Sequence, residues 1–114
     1  MPHLSNFTAE FFKALAHPLR IRIVDALRGG EVGVSDLTAR LEVEQSTLSQ
    51  HLGVLRKSGI VVGRKDAQSV YYAVTDPALF HLLDDARQIF NNQLVDMQDL
   101  LAQISKSRPK RPAR

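Results

Sequence analysis

The sequence predicts a mainly α-helical domain that carries one small β-hairpin. Apolar residues recur every three or four positions along most of the 114 residues, but between Gly59 and Val74 their period falls to two. A length of 114 residues is enough for one compact domain and not for two, and a composition of 44% hydrophobic and 24% charged residues can bury a core. We therefore expect a single domain over residues 1–105 and a basic, disordered tail over residues 106–114.

Four helices are predicted before the hairpin. Phenylalanines at helical spacing indicate a first helix over residues 5–16, and His17-Pro18 begins a second, since proline suits the first turn of a helix. Gly29-Gly30 is expected to cap that second helix at its C-terminus. A short third helix is expected over residues 35–42, with Ser35 or Val34 at its N-terminal cap. A fourth helix is expected over residues 45–58. Three leucines of the fourth helix are spaced for burial: Leu48, Leu52 and Leu55.

The hairpin and a long last helix complete the predicted fold. We expect strands over residues 60–62 and 70–74, joined by a polar loop over residues 63–68. Thr75-Asp76-Pro77 then has the pattern of a capped helix start. The helix that follows is about 29 residues and roughly 43 Å long, so part of its apolar stripe has no cover within so short a chain. The sequence therefore predicts a homodimer, with contacts on the last helix at Leu79, Leu83, Ala86, Phe90, Leu94 and Met97.

Composition excludes several classes of site. The chain has no cysteine, so disulfides, thiolate metal sites and cysteine nucleophiles are excluded. It has no run of 18 apolar residues, so we expect no membrane span and no membrane partner, and it has no signal-type apolar segment behind a basic start, so we expect a cytoplasmic protein. No nucleophile and base, glycine-rich phosphate loop or paired carboxylates form a recognisable constellation, so we expect no enzyme activity and no cofactor.

The order of the central elements indicates a DNA-binding function. Two short helices joined by a tight turn and followed by a hairpin form the winged helix-turn-helix order, whose second helix can enter a major groove. The exposed N-terminal face of residues 45–58 is expected to contact bases or backbone through Gln45, Ser46, Thr47, Ser49 and Gln50. His51 has two open interpretations, a phosphate contact or a packed ring. Four cations and no acid occur between Gln45 and Lys65, and we expect them to contact phosphate: Arg56, Lys57, Arg64 and Lys65.

Four stretches together resemble the ArsR/SmtB family of bacterial transcriptional regulators. They are Phe12–Val24, Val34–Leu37, Ser46–Val61 with its Ser-Gln-His-Leu run, and Ser69–Tyr72. The resemblance implies a homodimeric winged helix that binds a palindromic operator, most often as a repressor. It also implies dimerisation through the first and last helices, which adds Phe7 and Phe11 of the first helix to the expected interface.

The family resemblance further implies a metal inducer, but this sequence departs from both common ligand sets. Gly33 and Ser35 stand where the thiolate class has cysteines. On the last helix, one of the four ligand positions is matched, by Asp76, and the others hold Ala78, Ile89 and Asn92. We therefore predict neither common metal site. The effector stays open between an organic ligand, a partner protein that does the sensing, and an unusual metal site drawn from His3, His81, Asp84 and Asp85.

Overall fold

The computed structural model describes residues 3–107, and the chain falls into two units that divide after Phe80. The first unit contains four helices, a three-stranded sheet and the first turn of a fifth helix. The second unit is the remainder of that helix. The elements are α1 (Leu4–Leu15), α2 (Pro18–Ala26), β1 (Val32–Gly33), α3 (Val34–Leu41), α4 (Gln45–Lys57), β2 (Val61–Asp66), β3 (Ser69–Val74) and α5 (Ala78–Ser107).

The core of the first unit is built from the apolar stripes of α2, α3 and α4. Each stripe repeats every three or four residues, so its members lie on one face of their helix and are buried together. The predicted leucines of α4 are at most 1% exposed, and Leu37 on α3 is fully buried. Arg22 on α2 also donates to the carbonyl of Leu41 at 3.1 Å, which satisfies one of the last acceptors of α3.

The sheet has the strand order β1-β3-β2, and both pairings are antiparallel. The prediction of a polar loop over residues 63–68 was wrong, because β2 continues to Asp66 and the turn is confined to residues 67–68. β2 lies at the edge of the sheet, where polar side chains can face water on both sides while the backbone still pairs. β1 was not predicted, since two residues carry no periodic signal.

Most helix ends agree with the local chemistry of the sequence. Asp76 accepts from the backbone N–H of Ala78 at 2.9 Å, as its capping pattern predicted. Gly59 ends α4 with a φ of 73°, a left-handed conformation that suits glycine. The predicted cap at Gly29-Gly30 was wrong in position, because α2 ends at Ala26 with Leu27 as its C-cap and the glycines belong to the turn that follows. α3 begins at Val34, and its N-cap is Gly33 rather than Val34 or Ser35.

The second unit is the part of α5 that runs from His81 to Ser107. The whole helix has 30 residues and is about 45 Å long. Its large apolar residues beyond Leu83 are 45–60% exposed: Ile89, Phe90, Leu94, Val95, Met97, Leu100, Leu101 and Ile104. Lys106 and Ser107 lie in its last turn, and the rest of the predicted basic tail is outside the described residues. Within residues 3–107, no helix is long and apolar enough to span a membrane.

Candidate nucleic-acid interface

Helix α4 has one face locked into the core and one face open to solvent. Leu48, Leu52 and Leu55 hold it from the buried side. Among the residues that were predicted to contact DNA, Thr47 is half-buried and the other four are exposed: Gln45, Ser46, Ser49 and Gln50. An anchored helix with short hydroxyl and amide side chains on its outer face has the geometry that a major groove admits.

The N-terminus of α4 is weakly capped. Glu44 occupies the N-cap position with an extended backbone, and its side chain accepts no capping hydrogen bond. Serine, threonine, aspartate and asparagine are the side chains that cap well at this position. The first backbone N–H groups of α4 therefore receive no hydrogen bond from the side chain of Glu44, although its negative charge lies beside them.

An open cleft of about 530 Å³ separates α4 from the hairpin. One wall is formed by Gln45, Ser49 and Arg56 on α4, and the opposite wall by Gln68 and Ser69 at the hairpin turn. Gln68 and Ser69 were not among the predicted contacts, because only the folded hairpin brings them opposite the helix. Gly53 also lines this cleft, and an added Cβ there would meet nothing within 4 Å. The glycine is therefore not required by packing within the part of the chain that the structure describes.

A cluster of two histidines and one arginine connects α4 to α2 and to the end of α1. The Nε of Arg20 donates to the Nδ1 of His51 at 3.2 Å, and its Nη1 donates to the carbonyl of Ala14 at 2.9 Å. The ring of His17 lies 4.2 Å from that of His51, centroid to centroid, and the Nδ1 of His17 accepts from the N–H of Leu19. Of the two interpretations of His51, this is the packed and hydrogen-bonded one, and His17 serves as the N-cap of α2.

Both acceptor nitrogens in this cluster must be unprotonated. A second proton, added at Nδ1 of a His51 ring already protonated at Nε2, would place a positive ring against Arg20 and remove the acceptor. Burial, then the neighbouring His17 and Arg20, lower the pKa of His51 below its ordinary value. The arrangement therefore favours neutral His51, and it ties the middle of α4 to α2 and to the end of α1.

The predicted phosphate contacts divide into two groups. Arg56, Lys57 and Lys65 are exposed. Arg64 instead forms a bidentate ion pair with Glu31, with distances of 2.9 Å from Nε and 2.7 Å from Nη2. The guanidinium also lies 4.9 Å from the centre of the Tyr71 ring, and its Nη1 is 3.7 Å from Asp66. The Glu31 pair raises the pKa of Arg64, and the hydrogen bond from Arg64 lowers the pKa of Glu31.

The positions that correspond to metal ligands are occupied differently here. A Cβ at Gly33 would lie 3.3 Å from the Cε1 of Tyr71, so that ring fills the space beside β1. Ser35 is exposed at the start of α3, and His81, Asp84 and Asp85 are exposed on α5. His3 is also exposed and precedes α1. Among residues 3–107, no three histidine or acidic side chains come together in a group that could hold a metal ion.

Comparison with known proteins identifies the family. The family model described as "Bacterial regulatory protein, arsR family" matches residues 17–62, which include α2, α3 and α4. The uncharacterized HTH-type transcriptional regulator Rv0081 of Mycobacterium tuberculosis is 39% identical over 102 residues, which cover 89% of this chain and 90% of that protein. This chain belongs to the ArsR family. It is a DNA-binding transcriptional regulator of the winged helix-turn-helix type, and its predicted fold class is confirmed.

Other relatives extend the family comparison. The biofilm growth-associated repressor of Agrobacterium fabrum is 40% identical over 82 residues, covering 72% of this chain and 70% of that protein. The transcriptional activator HlyU of Vibrio cholerae is 37% identical over 78 residues, covering 68% and 72%.

Solved structures agree with the fold. The crystal structure of Rv0081 superposes with a TM-score of 0.75 at 41% identity and covers 85% of this chain and 97% of that one. The homodimeric winged helix-turn-helix DNA-binding domain Mb0332 of Mycobacterium bovis has a TM-score of 0.72 at 26% identity and covers 80% and 84%.

Proposed function

We propose that this ArsR-family chain acts as a homodimer that binds a palindromic operator and represses transcription. The observation that carries the proposal is α4, whose leucines are buried while Gln45, Ser46, Ser49 and Gln50 face solvent. These side chains bond to base edges in the major groove, where an amide can pair bidentately with adenine. Thr47, half-buried in the same turn, contacts the backbone.

Phosphate contacts surround this reading face. Arg56 lines the cleft near the end of α4, and Lys57 beside it and Lys65 on β2 also carry exposed positive charge. Cations placed in this way bind DNA independently of sequence and hold the reading helix in register. His51 acts from behind the helix as a positioning residue, because its Nδ1 is engaged by Arg20.

Homodimerisation would cover the apolar residues that the single chain leaves exposed. Phe90, Leu94 and Met97 on α5 are 58%, 45% and 54% exposed, and Phe7 on α1 is 68% exposed. A symmetric dimer buries the same patch of both subunits and presents two copies of α4 to two half-sites. Leu79 and Leu83 were also predicted at the interface, but at 6% and 7% exposed they have little surface left to offer a partner.

The sign of regulation follows from where such a dimer would bind. A protein that occupies DNA at a promoter blocks RNA polymerase unless its operator lies upstream of the polymerase site. The repressor of Agrobacterium fabrum supports repression, and the activator HlyU is the contrary precedent among the relatives. A reporter gene under the chain's own promoter should therefore rise in expression when the regulator is deleted. A fall in expression would identify an activator.

Footprinting on DNA from directly upstream of the chain's own gene tests the proposal. Hydroxyl-radical cleavage should reveal two protected segments, related by symmetry and one helical turn or a multiple of a turn apart. A single protected segment, or protection without symmetry, would contradict binding as a symmetric dimer. The footprint should then be repeated in EDTA and with added nickel, zinc, cobalt or copper. A change with one metal places the sensing in this chain, and indifference directs the search to an organic ligand or a partner protein.

A further inference from the structure

One face of the sheet carries a stack of three side chains that joins its strands. The register pairs Arg64 on β2 with Tyr71 on β3, and Tyr71 with Gly33 on β1. Directly paired residues point to the same face of a sheet, and so do residues two apart along a strand. Glu31 comes directly before β1, and its two hydrogen bonds from Arg64 place its carboxylate on the same face as Tyr71 and Arg64. The stack therefore reaches from the edge strand β2 across β3 to the chain at the start of β1.

Gly33 makes room for this stack. A Cβ at that position would stand 3.3 Å from the Cε1 and 3.5 Å from the Cδ1 of Tyr71. With no side chain on Gly33, the tyrosine ring lies over β1 and provides a surface for the guanidinium of Arg64 at 4.9 Å. Glu31 then accepts two hydrogen bonds from Arg64, at 2.9 and 2.7 Å, in the fork geometry that arginine forms with a carboxylate.

A carboxylate and a DNA phosphate form the same kind of hydrogen-bonded pair with an arginine. Both are oxyanions that accept a bidentate pair of N–H groups. While Glu31 holds Arg64, the pair has no net charge and displaces no counterion from DNA. The adjacent Lys65 is different, because alternation along β2 places it on the opposite face, and it forms no ion pair with any residue in the range 3–107.

We propose that Glu31 competes with DNA phosphate for Arg64 and so limits the contribution of the β2–β3 wing to DNA affinity. Glu31 is in this sense a positioning residue, because its two hydrogen bonds hold the guanidinium of Arg64 beside the ring of Tyr71. The pair is exposed, at 53% for the side chain of Arg64 and 37% for that of Glu31, so a phosphate can reach the guanidinium once the carboxylate is removed. Asp66, at 3.7 Å from Nη1, is the looser of the two acidic neighbours. This inference rests on the proposed DNA-binding surface.

A salt titration with four variants tests the proposal. Binding to a fluorescent duplex of random sequence is measured between 50 and 200 mM salt for wild type, Glu31→Gln, Arg64→Gln and the double variant. Glu31→Gln should bind more tightly than wild type, with the slope of log affinity against log salt steeper by about 0.9. Its advantage should consequently shrink about 3.5-fold across that salt range. Arg64→Gln alone should leave the slope unchanged, and the double variant should lose the gain.

Glu44→Gln is the matched control for the loss of one negative charge beside the DNA-binding face. Its gain in affinity should be smaller than that of Glu31→Gln and should persist when Arg64 is also replaced. Three results would overturn the proposal. They are an unchanged or weaker affinity of Glu31→Gln, a gain that survives in the double variant, and a slope that falls by about 0.9 in Arg64→Gln alone.

The design separates failure of this inference from failure of the proposed function. Random-sequence DNA reports phosphate contacts, so the inference can hold even if no palindromic operator is found. If neither wild type nor Glu31→Gln binds any duplex at 50 mM salt, both proposals are overturned. NMR of the free protein provides a second readout, because the Nε–H resonance of Arg64 should shift in Glu31→Gln and stay in place in Glu44→Gln. An unshifted resonance would show that the ion pair does not form.

Discussion

At the scale of single residues, His51 links α4, the helix that we propose reads DNA, to the rest of the first unit. Its Nδ1 accepts from Arg20, which also donates to the end of α1. The sequence could predict that His51 was either packed or turned toward DNA, because its position lies at the edge of the leucine stripe. It could not decide between them, since Arg20 is 31 positions away and only the fold brings the two together.

His51 makes the stability of the protein depend on pH in a defined direction. Its lowered pKa means that the unfolded chain binds a proton more readily than the folded chain. The free energy of unfolding should therefore decrease as the pH falls below about 6.5, until the pH lies below the lowered native pKa. Urea unfolding between pH 8 and pH 5, at constant protein concentration, measures this decrease.

His51→Asn provides the matched control for that measurement. The asparagine keeps an acceptor near the position of Nδ1 and does not titrate, so the decrease between pH 6.5 and pH 5 should become smaller. An unchanged pH dependence in this variant would show that His51 is not the responsible group.

The cap of α2 yields a separate prediction. His17→Asn should preserve the cap, whereas His17→Ala should lower the free energy of unfolding by about 0.5–2 kcal/mol.

At the scale of elements, α4 was the most predictable part of the molecule and the sheet was the least. The leucine period determines which face of α4 is buried, and the polar residues between the leucines then have to face solvent. The wing depends instead on pairing between distant segments. β1 pairs Val32 with Tyr72, and neither residue's neighbourhood in the sequence indicates that contact. Arg64 was predicted in a loop for the same reason, and its pairing with Glu31 had no sequence signal.

The reading face of α4 yields a prediction about specificity. Replacement of Gln50 or Ser46 by alanine removes the side-chain groups that would bond to a base edge. Each replacement should therefore reduce the discrimination between operator and unrelated DNA by about 1–3 kcal/mol. Affinity for random-sequence DNA should change little, because the cations are untouched. Competition binding with operator and scrambled duplexes measures the ratio.

Controls for that experiment come from the same residue types elsewhere. Ser58→Ala at the end of α4 and Gln103→Ala on α5 should retain the full specificity ratio. If Ser46→Ala and Gln50→Ala also retained it, the reading face would have to lie on other residues.

Gly53 yields a second prediction for α4. A glycine inside a helix is less favourable than alanine by about 1 kcal/mol, and an added Cβ here meets nothing within 4 Å. Gly53→Ala should therefore raise the free energy of unfolding by up to about 1 kcal/mol. Gly29→Ala, in the turn after α2 and equally open, is the control and should gain less. A destabilised Gly53→Ala protein in urea unfolding would mean that the helix needs the glycine for another reason.

At the scale of the whole molecule, the exposed stripe of α5 is the feature that a single chain leaves unexplained. The sequence predicted the stripe correctly, because its period of three or four is uninterrupted from Leu79 to Ile104. The cover of the stripe depends on an intermolecular contact, which a periodic pattern within one chain does not specify. The proposed dimer rests on this surface and on the homodimeric Mycobacterium bovis neighbour.

Leu94→Glu tests the dimer. A charge in the middle of the stripe would be buried without a partner at the interface, so the variant should sediment as a monomer at concentrations where wild type is a dimer. Operator affinity should fall with it, because one chain can occupy one half-site. Gln103→Glu, which adds the same side chain away from the stripe, should stay dimeric. A dimeric Leu94→Glu protein would exclude this stripe as the interface.

The central claim, that α4 reads DNA sequence, is tested most directly by fluorescence anisotropy on DNA from upstream of the chain's own gene. The measurement compares that duplex with a scrambled duplex of equal length and composition at one salt concentration. We predict a preference of at least about a thousandfold for the native duplex, the lower end for specific regulators, and its reduction in Gln50→Ala. Equal affinity for the two duplexes would contradict the claim and leave this surface as a sequence-independent binder of phosphate.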